Sequence, residues 1–272
     1  MAEVPEVEII VRDLREAVVG RVITRAEVVL PEAVRFPAPD AFATLLAGRT
    51  VQAAERRAKN ILLPLNGDVL LAIHFMLWGT LLLGPANRHR PPETLVVFGL
   101  DGDEEIHFLD TLGYARAAAG PTAEVAEKLG LVTLGPDALD PTFTADVMTA
   151  RLARRRGPLK TVLLNNKVFS GLGNRDADES MWLARIHPLR QPPTLAPEEL
   201  GALYEAICQT LREGLELRGT QADLFGRPGR AKHRRNIFER TNQPCPRCGT
   251  RIAHLKIGGR NTHFCPTCQP AP

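Results

Sequence analysis

The sequence has no apolar run long enough to span a bilayer and no secretory type of N-terminus. Nowhere do 18 apolar residues follow one another, so a transmembrane helix is not predicted. Residues 1–8 carry three glutamates, where a signal peptide would have a basic segment followed by an apolar one. The chain also lacks an internal repeat. We therefore expect a cytoplasmic protein with no membrane partner.

The chain as a whole has a net charge of only +3, but its two halves carry net charges of opposite sign. Residues 1–150 hold 13 Lys+Arg against 21 Asp+Glu, and residues 151–272 hold 21 against 10, which gives nets of −8 and +11. Since Lys and Arg neutralise phosphates, the second half is where a polyanion would bind. A solvated basic surface without a partner is the alternative.

Cysteine is scarce, and four of the five lie in two Cys-x-x-Cys pairs. Cys245 and Cys248 precede Cys265 and Cys268 by the spacing of a zinc ribbon, in which four thiolates surround one Zn²⁺. Two disulfides are the competing interpretation, which a reducing cytosol disfavours. The fifth, Cys208, lies among apolar residues at helical spacing and is predicted to be a core residue.

The first half predicts a β-rich domain behind one helix. Apolar residues recur every three or four positions over 5–19, which predicts an amphipathic helix ended by Gly20. Short β-type runs separated by turns follow, and the domain they form is predicted to be a sandwich or flattened barrel. These runs are Val22–Leu30, Ile61–Leu65, Val69–Ile73, Leu95–Leu100 and Ile106–Leu109.

The second half is predicted to be helical, with a basic loop at 226–235 before the cysteine hairpin. The helices are expected at 122–129, 142–153, 158–165, 176–185 and 197–217. The fold class is therefore α+β. Three domains are expected, at 1–120, 121–235 and 236–272.

The segment Asn165–Asn174 joins two of these helices and carries Gly171 and Gly173. Glycines permit positive φ and a close approach of the backbone to another molecule. Amides at the start of the next helix, beside the side chain of Asn174, would suit a phosphate. An ordinary turn is the alternative.

Five motifs span almost the whole chain: MAEVPEVE at the N-terminus, RRAKN at 56–60, NNKVFSGLGN at 165–174, IHP at 186–188 and the CPRC…GGRNTHFCPTC ending. In this order and spacing they resemble the formamidopyrimidine-DNA glycosylase/endonuclease VIII family. The resemblance implies an N-terminal β-sandwich, a helix–two-turn–helix domain and a zinc ribbon. It also implies damaged, abasic or single-stranded DNA as the partner of a monomer associated with the nucleoid.

The resemblance also implies the chemistry. Typical members expose an N-terminal proline as nucleophile, and this chain has Ala2 there. An α-amine has an ordinary pKa of about 7.7–8, so part of it is neutral and nucleophilic near neutral pH. Glu3 matches the general acid, Glu6 an assisting glutamate, and Lys59 a lysine that reaches the lesion. Because an alanine imine must be protonated to act as an electron sink, we expect base excision with weaker strand cleavage.

For DNA binding, the matching positions are Lys160, Asn174 and Arg260, which are expected to contact phosphates beside an extruded nucleotide. The Cys245, Cys248, Cys265 and Cys268 site would be structural, since four protein ligands leave no open position on the zinc.

Three departures from the family pattern affect specificity. Leu77 takes the place of the intercalating methionine. The family's Asp-Pro-Arg-Arg-Phe-Gly element appears as residues 110–115, in which the arginine is absent and Tyr114 remains for stacking. After Asn174 the chain has Arg175 and Asp176, and Asp176 is expected to cap the following helix. Loss of the arginine predicts a relaxed preference for the opposite base, or activity on single strands.

Two functions follow from these matches and departures. The first is a base-excision DNA glycosylase with an associated, weaker AP-lyase activity, supported by Glu3, Glu6 and Lys59. The alternative is a catalytically impaired relative that binds damaged or abasic DNA as a recognition protein, supported by Ala2 and the missing arginine.

Overall fold

A computed structural model describes residues 2–272, which form two compact units. The first unit comprises residues 2–132 and Leu217–Arg230, and the second comprises Thr133–Glu216 and Ala231–Pro272. This division differs from the three predicted domains. Most of the predicted helical domain shares one unit with the cysteine hairpin, whereas residues 121–132 and 217–230 of that predicted domain belong to the first unit. Across residues 2–272, no helix is both long enough and apolar enough to pass through a bilayer.

The first unit holds two antiparallel sheets, with strand orders β2-β1-β7-β8-β6 and β3-β4-β5-β9. Both sheets contribute to one core with the N-terminal helix, so the predicted sandwich and the α+β class are confirmed. The strands are β1 Val22–Val28, β2 Arg49–Thr50, β3 Glu55–Arg57, β4 Asn60–Leu65, β5 Val69–His74, β6 Thr80–Pro85, β7 Thr94–Leu100, β8 Glu104–Leu109 and β9 Arg116–Pro121.

Strand burial follows the position of each strand in its sheet. In β4, buried and half-buried residues alternate, which is the period of two expected for a strand with one covered face. In β5, five of the six residues are buried, because both faces are covered. Leu71 and Ile73 face the main core. On the other face, Leu70 and Ala72 pack against Val125 of helix α3 (Thr122–Lys128).

The N-terminal helix, α1, spans Val4–Ala17 and lies close to its predicted bounds. A second helix, α2, spans Pro39–Leu46. It is absent from the sequence prediction because a helix of about two turns is too short to show a clear helical period. Its Phe42 and Leu46 are fully buried in the core of the first unit.

The second unit contains the remaining predicted helices and one hairpin. They are α4 Ala145–Leu152, α5 Leu159–Leu163, α6 Asn174–Leu183 and α7 Pro197–Glu216, followed by β10 Ala253–Ile257 and β11 Arg260–Phe264. The basic segment 226–235 is irregular except for a short 3-10 turn at Ala231–Arg234. Cys208 on α7 is half-buried, whereas the sequence predicts that it is a buried core residue.

Helix α6 begins two residues earlier than predicted, and this changes the role of Asp176. Gly173 is the N-cap residue, so Asp176 lies inside the first turn and does not cap the helix. A carboxylate in the first turn still interacts favourably with the positive end of the helix dipole. It also accepts a hydrogen bond from Nε of Arg175 at 3.0 Å.

Candidate functional site

Ala2 and Glu3, the first two residues that the structure describes, are buried and hydrogen-bonded. Ala2 is 3% exposed, and its backbone nitrogen donates a hydrogen bond to the carbonyl oxygen of Leu77 at 3.0 Å. Glu3 is 1% exposed and is the N-cap of α1. Its side chain and that of Glu6 form a reciprocal capping box, in which the Glu3 amide donates to Oε2 of Glu6 at 2.9 Å. Helix formation thus fixes Ala2 and Glu3.

Glu6 also fastens the helix to the segment Leu217–Arg230. Its Oε1 accepts from the backbone nitrogen of Thr220 at 2.7 Å and from Oγ1 of Thr220 at 2.9 Å. Gly219 has φ +63°, and a Cβ there would lie 2.9 Å from the Glu6 side chain. Only glycine therefore fits at this contact. The sequence does not indicate Thr220, because it is 214 positions from its partner.

Further along α1, Asp13 secures the same segment. Nη2 of Arg218 donates to Oδ1 of Asp13 at 3.1 Å and to Oδ2 of Asp223 at 2.6 Å. The backbone nitrogen of Leu224 also donates to Asp13, at 3.4 Å. Since Asp13 and Asp223 are both buried, these bonds compensate for the loss of their hydration. The segment Leu217–Arg230 is consequently ordered on the helix that carries Glu3 and Glu6.

The loop of residues 75–79, which we call the wedge loop, joins β5 to β6 and presents Leu77. Its Met76 adopts φ +54°, a conformation stabilised by a hydrogen bond from the Met76 amide to Nδ1 of His74 at 2.9 Å. Burial, together with the positive charges of Lys59 and Arg35, lowers the pKa of His74 to about 4. His74 is therefore neutral at pH 7 and able to accept this bond. Leu77 itself is 38% exposed.

A second loop, residues 110–115 between β8 and β9, presents Tyr114 at the same end of the unit. The buried carboxylate of Asp110 accepts three backbone hydrogen bonds, from Leu112 at 3.1 Å, Tyr114 at 2.7 Å and Ala115 at 2.8 Å. Because one carboxylate orders the whole loop, the Tyr114 ring is held outward, 53% exposed. Asp110 therefore has a structural role, for which the family motif alone gives no indication.

Lys59 lies in the two-residue turn between β3 and β4, with Ala58 at φ +54° before it. The register places Asn60 opposite His74, and Lys59 is near enough to His74 to lower its pKa. The predicted lysine and the wedge loop are therefore at one end of the same sheet.

In the second unit, the structure brings Lys160, Asn174 and the hairpin that carries Arg260 into one network. Lys160 is fully buried, where its ammonium group forms an ion pair with Asp178 and donates to the Asn174 carbonyl at 3.3 Å. A direct phosphate contact requires an exposed ammonium group, so Lys160 as the structure places it supports Asn174 from within. This differs from the predicted phosphate contact.

Asp178 and Asn174 connect this network to the hairpin. The other carboxylate oxygen of Asp178 accepts from the backbone nitrogen of His263 at 2.9 Å, and Nδ2 of Asn174 donates to the carbonyl of Asn261 at 3.0 Å. Arg260 opens β11 after the Gly258–Gly259 turn and is exposed. Of the two glycines expected to have positive φ near Asn174, only Gly171 does, at +95°. Gly173 is instead the extended N-cap residue.

The four paired cysteines form one cluster, in which all four sulfurs lie within 4.8 Å of one another. Neighbouring sulfurs are 3.4 to 3.9 Å apart, far beyond the 2.05 Å of a disulfide bond. A tetrahedron with Zn–S bonds of about 2.3 Å has edges of about 3.8 Å. The donor set fits structural zinc.

Helix α6 holds this hairpin through residues that the sequence prediction missed. The carboxylate of Glu179 accepts backbone hydrogen bonds from Asn236, Ile237 and Phe238 at 2.9 to 3.1 Å. The guanidinium of Arg247, between the first two cysteines, stacks over the ring of Trp182 at 4.1 Å and donates to its carbonyl at 3.0 Å. The zinc-binding segment is therefore built onto α6 together with Asn174.

Three family models match successive parts of the chain. Residues 1–117 match the formamidopyrimidine-DNA glycosylase N-terminal domain, and residues 134–225 match the formamidopyrimidine-DNA glycosylase H2TH domain. Residues 242–271 match the zinc finger found in FPG and IleRS. The last match covers the four-sulfur cluster, which is thus a zinc site able to hold one ion.

Curated relatives and solved structures agree over the full length. The chain is 36% identical to the formamidopyrimidine-DNA glycosylase of Desulforamulus reducens, covering 100% of both chains, and 37% identical to that of Chloroflexus aurantiacus, covering 99% of this chain and 98% of the relative. The Lactococcus lactis Fpg in complex with abasic-site DNA superposes with a TM-score of 0.91 at 27% identity, covering 99% of this chain and 100% of that one.

Proposed function

The chain belongs to the formamidopyrimidine-DNA glycosylase family. We propose that it is a base-excision DNA glycosylase with associated AP-lyase activity, which removes damaged bases of the oxidised type by means of its N-terminal amine. The observation that carries this proposal is the fixed position of Ala2, whose nitrogen is bonded to the Leu77 carbonyl beside the capping box of Glu3 and Glu6. A nucleophile at a chain terminus needs such contacts, since termini are otherwise poorly ordered.

In the proposed reaction, removal of Met1 leaves Ala2 with a primary α-amine. The nitrogen lone pair forms a bond to C1′ of the extruded nucleotide, and the bond between C1′ and the base breaks, with its electron pair leaving on the base. Opening of the sugar ring and loss of the amine protons give an imine between Ala2 and the sugar. Water then releases the abasic product, or elimination of the 3′ phosphate cuts the strand.

Glu3 is the proposed general acid, which supplies a proton to the ring oxygen as the sugar opens. It is buried at the N-terminus of α1, next in the chain to the proposed nucleophile Ala2. Glu6 is the proposed assisting residue, because its two oxygens bind the Glu3 amide and Thr220 and so fix Glu3. Lys59 is proposed to bind a lesion phosphate or base, and Leu77 and Tyr114 to fill the space that the extruded nucleotide leaves.

DNA is the proposed partner of the second unit. Asn174 and exposed Arg260 are proposed to contact phosphates beside the lesion, and Lys160 is proposed to hold Asn174 in place. The zinc ion would have a structural role at Cys245, Cys248, Cys265 and Cys268. We further propose that the protein acts as a monomer in the cytoplasm, in association with the nucleoid.

Borohydride trapping on duplex DNA with a single abasic site tests the proposal, because reduction of the imine leaves a stable covalent adduct. We expect an adduct with the wild type and none when an N-terminal tag blocks Ala2, while DNA affinity is unchanged. Tight binding to abasic DNA without any adduct would instead identify the recognition protein suggested by Ala2 and the missing arginine. Adduct formation by the tagged protein would exclude Ala2 as nucleophile.

A further inference from the structure

The first unit displays a group of exposed apolar side chains on two adjoining loops. Large exposed hydrophobic residues elsewhere among residues 2–272 are scattered, but five lie on the wedge loop and the loop 110–115. We call them the apolar tip: Met76, Leu77, Trp78, Leu112 and Tyr114. The two loops touch, because a Cβ on Gly79 would lie 2.7 Å from Cβ of Ala115. Contiguous exposed apolar surface of this kind marks an interaction site.

The backbone under the apolar tip is fixed, so its side chains cannot collapse onto the sheets. His74 accepts the amide of Met76, and Asp110 accepts the amides of Leu112 and Tyr114. Trp78 and Tyr114 are both 53% exposed. The tip is therefore a preformed surface whose two aromatic rings are available to a ligand.

Basic side chains surround the apolar tip, and their positive charge favours an anionic ligand. Lys59 and Arg35 lie close enough to His74 to lower its pKa, and Arg116 follows the second loop, where its guanidinium donates to the carbonyls of Gly113 and Ala115. An apolar, aromatic centre with a basic border fits a nucleic acid whose base faces are uncovered. Base faces in an intact duplex are already stacked, so the tip requires unpaired nucleotides.

The tip also lacks a side chain suited to reading one base. Leu112 stands where the family has an arginine, and the polar atoms left on the tip are the indole nitrogen of Trp78 and the hydroxyl of Tyr114. Stacking depends on the face of a base, which all bases possess, whereas discrimination depends on donors and acceptors at its edge.

We propose that Trp78 is a base-stacking residue, which binds an unpaired nucleobase and, with Tyr114, directs the protein to lesions in single-stranded or locally melted DNA. This inference rests on the proposed function, since it names the DNA form that the same site takes. Trp78 does not take part in the chemistry, and its contribution is to binding.

Tryptophan fluorescence and affinity measurements test the proposal on one oligonucleotide with a tetrahydrofuran abasic-site analogue, prepared as a single strand, a bubble and a full duplex. The chain has two tryptophans, and Trp182 is buried, so the difference between the wild type and Trp78→Phe reports Trp78. We expect quenching of that signal by the single strand and the bubble. Trp78→Ala should weaken binding to both by about 5- to 150-fold.

The matched variants are Trp78→Phe, which keeps an aromatic ring and should retain most of the affinity, and Val29→Ala, which removes an exposed side chain outside the tip. An equal loss on all three DNA forms, or no quenching, would overturn the proposal. So would a wild-type dimer that Trp78→Ala converts to a monomer, because the tip would then bind a second copy. Borohydride trapping on DNA with a true abasic site tests the proposed function separately. If no DNA form gives an adduct, the glycosylase is rejected. If adducts form but Trp78→Ala binds all DNA forms as tightly as the wild type does, only the role of Trp78 is rejected.

Discussion

The backbone nitrogen of Ala2 lies 3.0 Å from the carbonyl oxygen of Leu77, to which it donates a hydrogen bond. The proposed nucleophile and the proposed intercalating residue are thus joined directly, without a side chain between them. A neutral amine that donates one N–H to this carbonyl keeps its lone pair for attack. The position of the wedge loop therefore determines where the amine points.

Replacing Ala2 by proline should increase strand cleavage relative to base excision. A secondary amine gives a permanently cationic iminium, which withdraws electrons without a further protonation step. We expect the ratio of cleaved to intact abasic product to rise about tenfold, equivalent to about 1.4 kcal/mol in the elimination barrier. Denaturing gels with and without alkali measure both products. Ala2→Gly keeps a primary amine and should leave the ratio unchanged; a rise in that variant as well would contradict the explanation.

Thr220→Val should weaken the connection between α1 and the segment Leu217–Arg230. The substitution removes the hydroxyl bond to Glu6 but keeps the backbone bond. The free energy of unfolding should therefore fall by about 0.5–1.5 kcal/mol, measured by urea denaturation. Thr220→Ser restores the hydroxyl and should recover most of the loss. If serine and valine behave alike, the hydroxyl does not support Glu6.

Sequence patterns were sufficient where a short-range rule applies. The cysteine spacing predicted the zinc cluster, and the three- and four-residue periodicity predicted α1 and α7. Strand β9 was missed because its alanines have low β propensity, and it is a strand through its pairing with β5.

Long-range contacts account for the remaining differences. Lys160 is buried because it forms an ion pair with Asp178 on α6. The predicted start of that helix lies two residues after the observed one. The bond from Thr220 to Glu6 joins residues 214 positions apart. Neither a spacing rule nor a propensity reports such partners, so the motif gave the residue types at the site but not the residues that position them.

Stability should depend on pH through His74. Its pKa is lowered to about 4 in the folded state, against an ordinary value near 6.5. As pH falls from 6.5 to 4, the unfolded chain binds a proton that the folded chain does not, so folding weakens over that window. The loss from this residue at pH 5 is about 2 kcal/mol relative to pH 7. His74→Asn offers an acceptor for the Met76 amide without titrating, and its urea denaturation should lack this part of the pH dependence. An identical slope in both proteins would refute the assignment.

Removing zinc should abolish DNA binding through loss of the hairpin. The four thiolates fix the segment that leads into β10 and β11, and Arg260 is presented by that hairpin. Treatment with a chelator should release one zinc ion per chain, measured with a colorimetric indicator, and DNA affinity should fall by at least about tenfold. Readdition of zinc should restore it. Retained affinity after complete release would show that the hairpin does not hold the DNA.

Lys160 and Asp178 should behave as a coupled pair, because both side chains are fully buried. Lys160→Met leaves the Asp178 carboxylate without its ammonium partner, and we expect the free energy of unfolding to fall by about 3–5 kcal/mol. Replacing both residues, as Lys160→Met with Asp178→Leu, removes the buried charge and should cost less than the sum of the two single losses. DNA affinity separates the two possible roles of Lys160. If Lys160 acts by holding Asn174, Lys160→Met should cost little further DNA affinity in an Asn174→Ala background, whereas the loss of a direct phosphate contact would add to the loss caused by Asn174→Ala.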